Sequence, residues 1–292
     1  MTADASSAVW TYWESRTSAP RSAYLDLCLE TIRLHSPPLE LRVLDRHSAT
    51  QWLPDMDLER WEGLPAPNYR SDYARSRLLQ RHGGIWIDID TIALAPLSGF
   101  VDAVDDTGIA CWGKELGRFF GNMCAAVPGS PFVDAWAQGQ DDALTRHKDW
   151  SAMPYSALAQ DVCWSLGRTM PWKSLPMGRV APVPWYQWRR FLSRLESPAR
   201  VLAQSPMTVV LWNAVMAPLL RGRSHADLLA GRMLLSRLLR IGLGQATPEA
   251  EEDAWTRLSV LSNLRFSDRG QGIETALRRG LGRVQRARGS GG

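Results

Sequence analysis

The chain of 292 residues reads as an α/β fold: a mixed, mainly parallel sheet flanked by helices, with a helical extension at the C-terminus. Three observations predict it. Strand and helix patterns alternate over residues 8–90 in the order strand, helix, strand, helix, strand, the pattern of a parallel sheet with helical crossovers. The last of those strands is a short apolar run ending in Asp88-Ile89-Asp90, directly after a helix that closes on Gly83-Gly84. Beyond Pro218 the strand patterns stop and an amphipathic helical pattern takes over.

Ala8 to Trp13 reads as the first strand. After Pro20, Tyr24, Leu25, Leu27, Cys28, Leu29, Ile32 and Leu34 recur at helical spacing, with a stop before Pro37-Pro38. Leu39 to Leu44 alternates as a second strand. Leu53 to Leu64 is a short helix or turn between Pro54 and Pro65. Asn68 to Arg81 has helix-forming content, and Gly83 is its C-terminal stop. Gly108 to Trp112 and Met123 to Val127 are further strands, Pro131 to Thr145 and Ala152 to Leu166 helices, and Thr208 to Trp212 a late strand. Leu228, Leu229, Met233, Leu235, Leu238, Leu239 and Ile241 fit one amphipathic helix ended by Gly242-Leu243-Gly244, and Pro248 to Asp253 is an acidic linker or helix start. The change of pattern divides the chain into a domain over 1–220 and a helical extension over 221–292.

Composition excludes several classes. No stretch approaches the ~20 continuous apolar residues of a membrane span, and Met1 to Ala8 lacks the basic and apolar regions of a signal peptide. Cys28, Cys111, Cys124 and Cys163 form no Cys-x-x-Cys, and five scattered histidines give no zinc pattern. The expectation is a soluble cytoplasmic protein. Residues 266–292 hold six Arg against Asp268 and Glu274, a surplus of four that equals the net charge of the whole chain, +4. A basic tail on a neutral body does not indicate nucleic acid. Within the tail, Leu277, Leu281 and Val284 at helical spacing among Arg278, Arg279, Arg283 and Arg286 make either a solvated terminus or a weak peripheral contact with an anionic membrane. Most of the 14 tryptophans belong in the core. Trp185, Tyr186 and Trp188, close to Trp172 in a Pro-rich stretch, are the expected exceptions.

Two carboxylates one residue apart at a strand end can share one divalent cation, because the intervening side chain points the other way. Oxygen-only ligands suit Mg²⁺ or Mn²⁺, which bind through one or two carboxylates plus substrate phosphates. Asp88 and Asp90 therefore point to chemistry on a metal-bound phosphate. Asp72 and Arg75, three apart, lie on one helical face; they are either a surface ion pair or a group that holds sugar hydroxyls and phosphate.

The composite resembles a known family. Ser71-Asp72-x-x-Arg75, then Leu78-Leu79, Gly83-Gly84-Ile85-Trp86-Ile87-Asp88-x-Asp90 and Pro96-Leu97 are similar to the core of the DXD-containing sugar transferases. That family includes capsular polysaccharide synthesis proteins, fungal mannosyltransferases and glucosylating clostridial toxins. Weaker likeness lies in Val9-Trp10-Thr11-Tyr12-Trp13-Glu14, in Gly121-Asn122-Met123 with Pro128 to Phe132, and in Thr208 to Asn213, so that it covers roughly residues 8 to 215. The resemblance implies a GT-A-like (Rossmann-like) fold. It also implies metal-dependent transfer of a sugar, with retention of configuration, from a nucleoside-diphosphate donor to a glycan, lipid-linked or small-molecule acceptor. On it, Asp90 ligates Mn²⁺ or Mg²⁺ and Asp88 contacts ribose, donor sugar or a metal-bound water. Asp72 and Arg75 hold donor sugar and phosphate, and Asn122 touches donor or acceptor. Trp10 stacks on the nucleobase with Tyr12 nearby, or both simply pack in the strand. Trp212 and Asn213 complete the metal-diphosphate site. The family often has His where this chain has Val210, which leaves Asn213 as the candidate late ligand.

Two alternatives remain at this stage. Ile87 to Ile92 also matches the nucleophile loop of haloacid-dehalogenase-type phosphatases, with Asp88 attacking phosphorus. Against it, more than eighty residues precede the loop, no Gly-Asp-x-x-x-Asp occurs, and Asp72, Arg75 and Gly83-Gly84 stay unexplained. The other alternative is a protein that holds a nucleotide sugar without turnover.

Overall fold

A computed structural model describes residues 8–15, 20–147 and 149–258; the basic tail lies outside the described residues. The first half runs β1 (Ala8–Tyr12), α1 (Ala23–His35), β2 (Glu40–Leu44), α2 (Ser48–Trp52), α3 (Leu58–Gly63), α4 (Pro67–His82) and β3 (Gly84–Ile87). Next come β4 (Thr91–Ala93), α5 (Ser98–Val101), β5 (Ile109–Trp112), β6 (Phe120–Ala126), α6 (Pro131–Arg146) and α7 (Tyr155–Thr169). The remainder is β7 (Lys173–Leu175), α8 (Met177–Val180), a 3-10 segment (Trp185–Leu192), α9 (Pro198–Leu202), β8 (Thr208–Val210), α10 (Asn213–Leu220), α11 (His225–Ala230) and α12 (Leu234–Gly242), then a helix over 248–258.

Six strands form the main sheet in the order β2-β1-β3-β6-β5-β7. β1 runs parallel to β2 and β3, and β5 parallel to β7, while β6 is antiparallel to both its neighbours. The expected mixed, mainly parallel α/β sheet is therefore present. β1 is buried on both faces, as strands covered by helices are. Val43 of β2 is exposed because that strand is an edge. α4 starts with Pro67, whose fixed φ suits a first helical turn, and stops where Gly83 takes a φ of 63°. Gly84, at φ 87°, lets β3 lie against β1, since a Cβ there would run into the Ala8 carbonyl.

A second, two-stranded sheet pairs β4 with β8 antiparallel. It divides the interior into two cores. The larger holds Trp86, Ile87, Leu78, Leu79, Phe132 and Trp136 among others. The smaller gathers α1, Ile89, Ile92, Val209 and the leucines of α11 and α12.

One expectation is corrected. The pattern from Leu228 to Ile241 is two helices, not one. Ser224 and Asp227 form a reciprocal capping box that starts α11, and Gly231 leaves the helix at φ −64°, ψ 155°. The carbonyls freed by the break are taken up by Arg240, whose guanidinium bonds Leu229 O and Gly231 O while pairing with Glu251 at 2.6 Å. Pro248 to Asp253 begins a helix. Among the described residues no helix is long and apolar enough to cross a membrane.

Candidate functional site

The site assembles where β3 ends. Asp88 leaves that strand with its backbone N–H donating to Asn122 O at 2.9 Å, so the end of β6 fixes its direction. Its Oδ1 accepts from Trp86 Nε1 at 2.8 Å and from Arg75 at 2.7 Å. Arg75 also pairs with Asp72 at 2.8 Å, and its guanidinium lies 5.1 Å from the Trp86 ring centroid. Gly121 gives this group room, because a Cβ there would crowd Trp136 and approach Arg75 to 3.1 Å. Arg75 and Asp72 are both buried, so they are not a solvated surface pair.

Asp90 is 8% exposed. Its Oδ2 accepts from the backbone N–H of Asn213 at 2.6 Å, and its carbonyl accepts from Leu211 N at 2.8 Å. The turn after β8 thus clamps the second carboxylate of the DxD pair. Trp212 makes that turn with a left-handed backbone, φ 62°, and donates its indole N–H to Val183 O at 3.0 Å. The Asn213 side-chain oxygen accepts from Tyr24. Asn122 accepts from Trp112 Nε1 at 3.0 Å, and the Trp112 and Trp212 rings are 6.3 Å apart.

Electrostatically the site is short of positive charge. Burial works against the Arg75 cation, but the Asp88 and Asp72 carboxylates outweigh it and hold its pKa above the ordinary value. Asp90 has no ion-pair partner among the described residues. Burial, with the Asp88 charge adding to it, pushes its carboxyl up to about 7, against the opposing bond from Asn213 N. Three carboxylates, Asp72, Asp88 and Asp90, share the one Arg75 guanidinium, and a carboxylate such as Asp90 without an ion-pair partner suits a hard divalent ion. The described residues contain no group of three or more His, Cys, Asp or Glu placed to hold a metal. The protein would thus supply two carboxylates and leave the other positions to phosphate and water, as Mg²⁺ sites commonly do.

Trp10 and Tyr12 are placed differently. Trp10 is 1% exposed, donates to Gly83 O at 2.9 Å and is ringed by Trp52, His82 and Arg42. Of the two roles open to it, strand packing is the one these contacts serve. Tyr12 is buried, and its hydroxyl donates to Glu14, which receives a two-pronged bond from Arg70 at 2.7 and 2.8 Å. Val210 is buried in β8 opposite Thr91.

Sequence reasoning missed Tyr155. It is 36% exposed, and its hydroxyl donates to Asp72 Oδ2. Burial, with the Asp72 charge adding to it, pushes this phenol well above its usual pKa. No spacing signal links two residues 83 apart in sequence. The Arg70–Glu14 pair was hidden for the same reason, whereas Trp112 stood within a recognised strand and only its partner was unreadable.

Residues 13–109 match the family model for a glycosyltransferase sugar-binding region containing a DXD motif. That stretch, about a third of the chain, holds Asp72, Arg75, Asp88 and Asp90 in the arrangement just described, and it supports a glycosyltransferase. Glycosyltransferases with a DXD motif generally use a divalent metal. The phosphatase reading of Ile87 to Ile92 gives way to this match. No curated protein matches the chain. Among solved structures, the galactosyltransferase LgtC with donor and acceptor sugar analogues is similar at 14% identity and a TM-score of 0.45, over 82% of this chain and 96% of that one. The apo-form glycosyltransferase GlyE of Streptococcus pneumoniae TIGR4 is similar at 13% and 0.48, over 87% and 64%. The PaToxG glycosyltransferase is similar at 14% and 0.36, over 82% and 86%. Likenesses at this level say nothing of donor, acceptor or stereochemistry.

Proposed function

We propose that the protein transfers a sugar from a nucleoside-diphosphate donor to an acceptor, with a divalent ion held at Asp88 and Asp90. The observation that carries this reading is the cluster itself: Arg75 spans Asp72 and Asp88 while Asn213 N holds Asp90, four DXD-core residues drawn to one strand end. Hydrogen bonds hold Asp88 at Oδ1 and Asp90 at Oδ2, which supports a reading in which the two carboxylates share an ion. When bound, Mn²⁺ or Mg²⁺ supplies charge stabilisation for the departing diphosphate. Arg75 and Asp72 fix the donor sugar and phosphate, with Tyr155 holding Asp72 in place. Asn122 reaches donor or acceptor from the end of β6. Asn213 serves the site through its backbone N–H as well as its side chain, and Trp212 sets the turn that delivers it. Retention of configuration enters on the family resemblance and is checked by the anomeric form of the product.

Asp90→Asn tests the proposal. It keeps the Asn213 bond possible but removes a metal-ligating charge, and transfer is expected to fall ~10²–10⁴-fold with the fold intact. The assay is donor turnover across UDP-, GDP- and dTDP-sugars with Mn²⁺, beside calorimetric titration of the free nucleotides. Full activity in EDTA, or in the Asp88→Asn/Asp90→Asn variant, overturns the metal role. Val210 stands where the family often has His, which favours a second reading, a nucleotide-sugar holder without turnover. Nucleotide binding with no turnover on any donor would establish it.

A further inference from the structure

Among the described residues only three aromatic side chains are exposed: Tyr155, Trp185 and Tyr186. All the other described aromatics are buried or half-buried. Each of the three belongs to a segment that touches the candidate site. Tyr155 bonds Asp72. Trp185 and Tyr186 open the 3-10 segment that follows Val183, whose carbonyl accepts the Trp212 indole N–H at 3.0 Å. Asn213, next along from Trp212, holds Asp90. The segment that carries the two rings is therefore bonded at Val183 O to Trp212, the neighbour of the residue that holds Asp90, whereas Arg75 and Asp72 join the site at Asp88.

Trp185 and Tyr186 are 58% and 57% exposed, with ring centroids 6.0 Å apart and planes at 89°. Their backbone is anchored on both sides. Val183 and Phe191 are fully buried in the second core, and Trp188 packs partly against it. Rigid anchoring matters because a stacking surface held in place loses little entropy when a ligand arrives. Two large rings at right angles, apolar on their faces and polar at one edge, fit a ligand with apolar C–H faces and a hydroxyl rim. That is the chemistry of a saccharide.

We propose that Trp185 and Tyr186 form the platform for a saccharide acceptor, against which a sugar ring stacks while its neighbour enters the site beside Trp212. The inference rests on the glycosyltransferase reading above and adds the chemical class of the acceptor.

The test uses the full chain labelled with 5-fluorotryptophan, with lactose, maltose and cellobiose as probes and the Trp185 resonance assigned by its loss in Trp185→Ala. At least one probe is expected to shift the Trp185 resonance, and the Trp185→Ala/Tyr186→Ala variant to bind that probe about tenfold or more weakly. Both residues are exposed, so the variant should melt with the parent, and thermal melting checks that it does. No shift with any of the three sugars, or equal binding by the double variant, overturns the proposal. So does a concentration-dependent dimer that the double variant loses, since the rings would then serve self-association. Donor hydrolysis by the wild-type protein without acceptor is measured separately. Its absence counts against the transferase reading, whereas its presence with saccharide binding indifferent to these rings counts against this inference alone.

Discussion

Arg75→Met gives the clearest test of how the site is held together. Arg75 is 6% exposed and lies between Asp72 at 2.8 Å and Asp88 at 2.7 Å. Removing its charge leaves Asp72, 3% exposed and already pushed up in pKa by burial, with only the Tyr155 hydroxyl beside it, so that it either stays ionised at a cost or takes up a proton. The Asp88 side chain is 29% exposed and recovers water, so most of the cost falls on Asp72. Stripping one partner from a buried pair costs about 3–5 kcal/mol, and with one carboxylate half-wet the lower end, about 3 kcal/mol, applies here. For a urea m-value of ~3 kcal/mol/M that moves the unfolding midpoint down by about 1 M. Asp72→Asn in the Arg75→Met background removes the orphan charge and should recover much of the loss, a coupling that independent sites would not show. Arg75→Lys keeps the charge but loses the planar fork that spans two carboxylates, so it should fold and still bind donor poorly. The assay is urea denaturation in EDTA, beside nucleotide titration and turnover with Mn²⁺. An Arg75→Met midpoint equal to wild type refutes the burial argument. Normal donor KM and turnover in Arg75→Lys would reduce the pair to a structural strut.

Two further outcomes are expected. In EDTA, Asp90 with a folded pKa of about 7 against an unfolded value of about 3.9 holds its proton longer in the folded chain. Its contribution to stability is therefore full below pH ~4 and lost as pH rises through 7, an effect of at most about 4 kcal/mol. Wild type should lose stability over that window relative to Asp90→Asn, and Mn²⁺ should restore it at pH 7.5; parallel profiles for the two proteins would sink the assignment. Tyr155→Phe removes the hydroxyl from Asp72, a hydrogen bond to a charged group worth roughly 1.5–3 kcal/mol when buried and less at this exposure. Donor KM should rise several-fold with kcat less affected, and unchanged KM would separate Tyr155 from donor binding.

What was legible in the sequence was local. The helix expected over Asn68 to Arg81 follows from composition and the Gly83 stop, and the strand after it from its apolar run, so Asp72 and Arg75 could be placed on one helical face and Asp88 and Asp90 at the end of the strand that follows. The short elements β4 and β7 were not legible, because three residues carry no usable periodicity. The single helix expected over 228–241 failed because a hydrophobic pattern persists across Gly231, whereas the break depends on Arg240 reaching back to satisfy the freed carbonyls. Charge on Asp90 was unreadable as well. Its burial and its bond from Asn213 N come from a turn 123 residues later, and no motif states how deep a carboxylate lies.

The DxD segment also explains why a transferase core would need the helices beyond Pro218. Ile87 packs in the larger core and Ile89 in the smaller one, so consecutive odd residues are gripped by different cores and Asp88 is held between them. Asp90 then sits where β4 begins, and β4 is kept in position by β8 and by α12, with Gly242 packed so closely on Ala93 O that a Cβ would not fit. α11 and α12 supply Leu228, Leu234, Leu235, Leu238 and Leu239 to the core that anchors Ile89 and Ile92. Cores packed at interior density transmit displacement rather than absorb it. The spacing of the two carboxylates is thus set by the agreement of two hydrophobic clusters, one built by the sheet and α4, the other completed only when the last helices of the chain have docked.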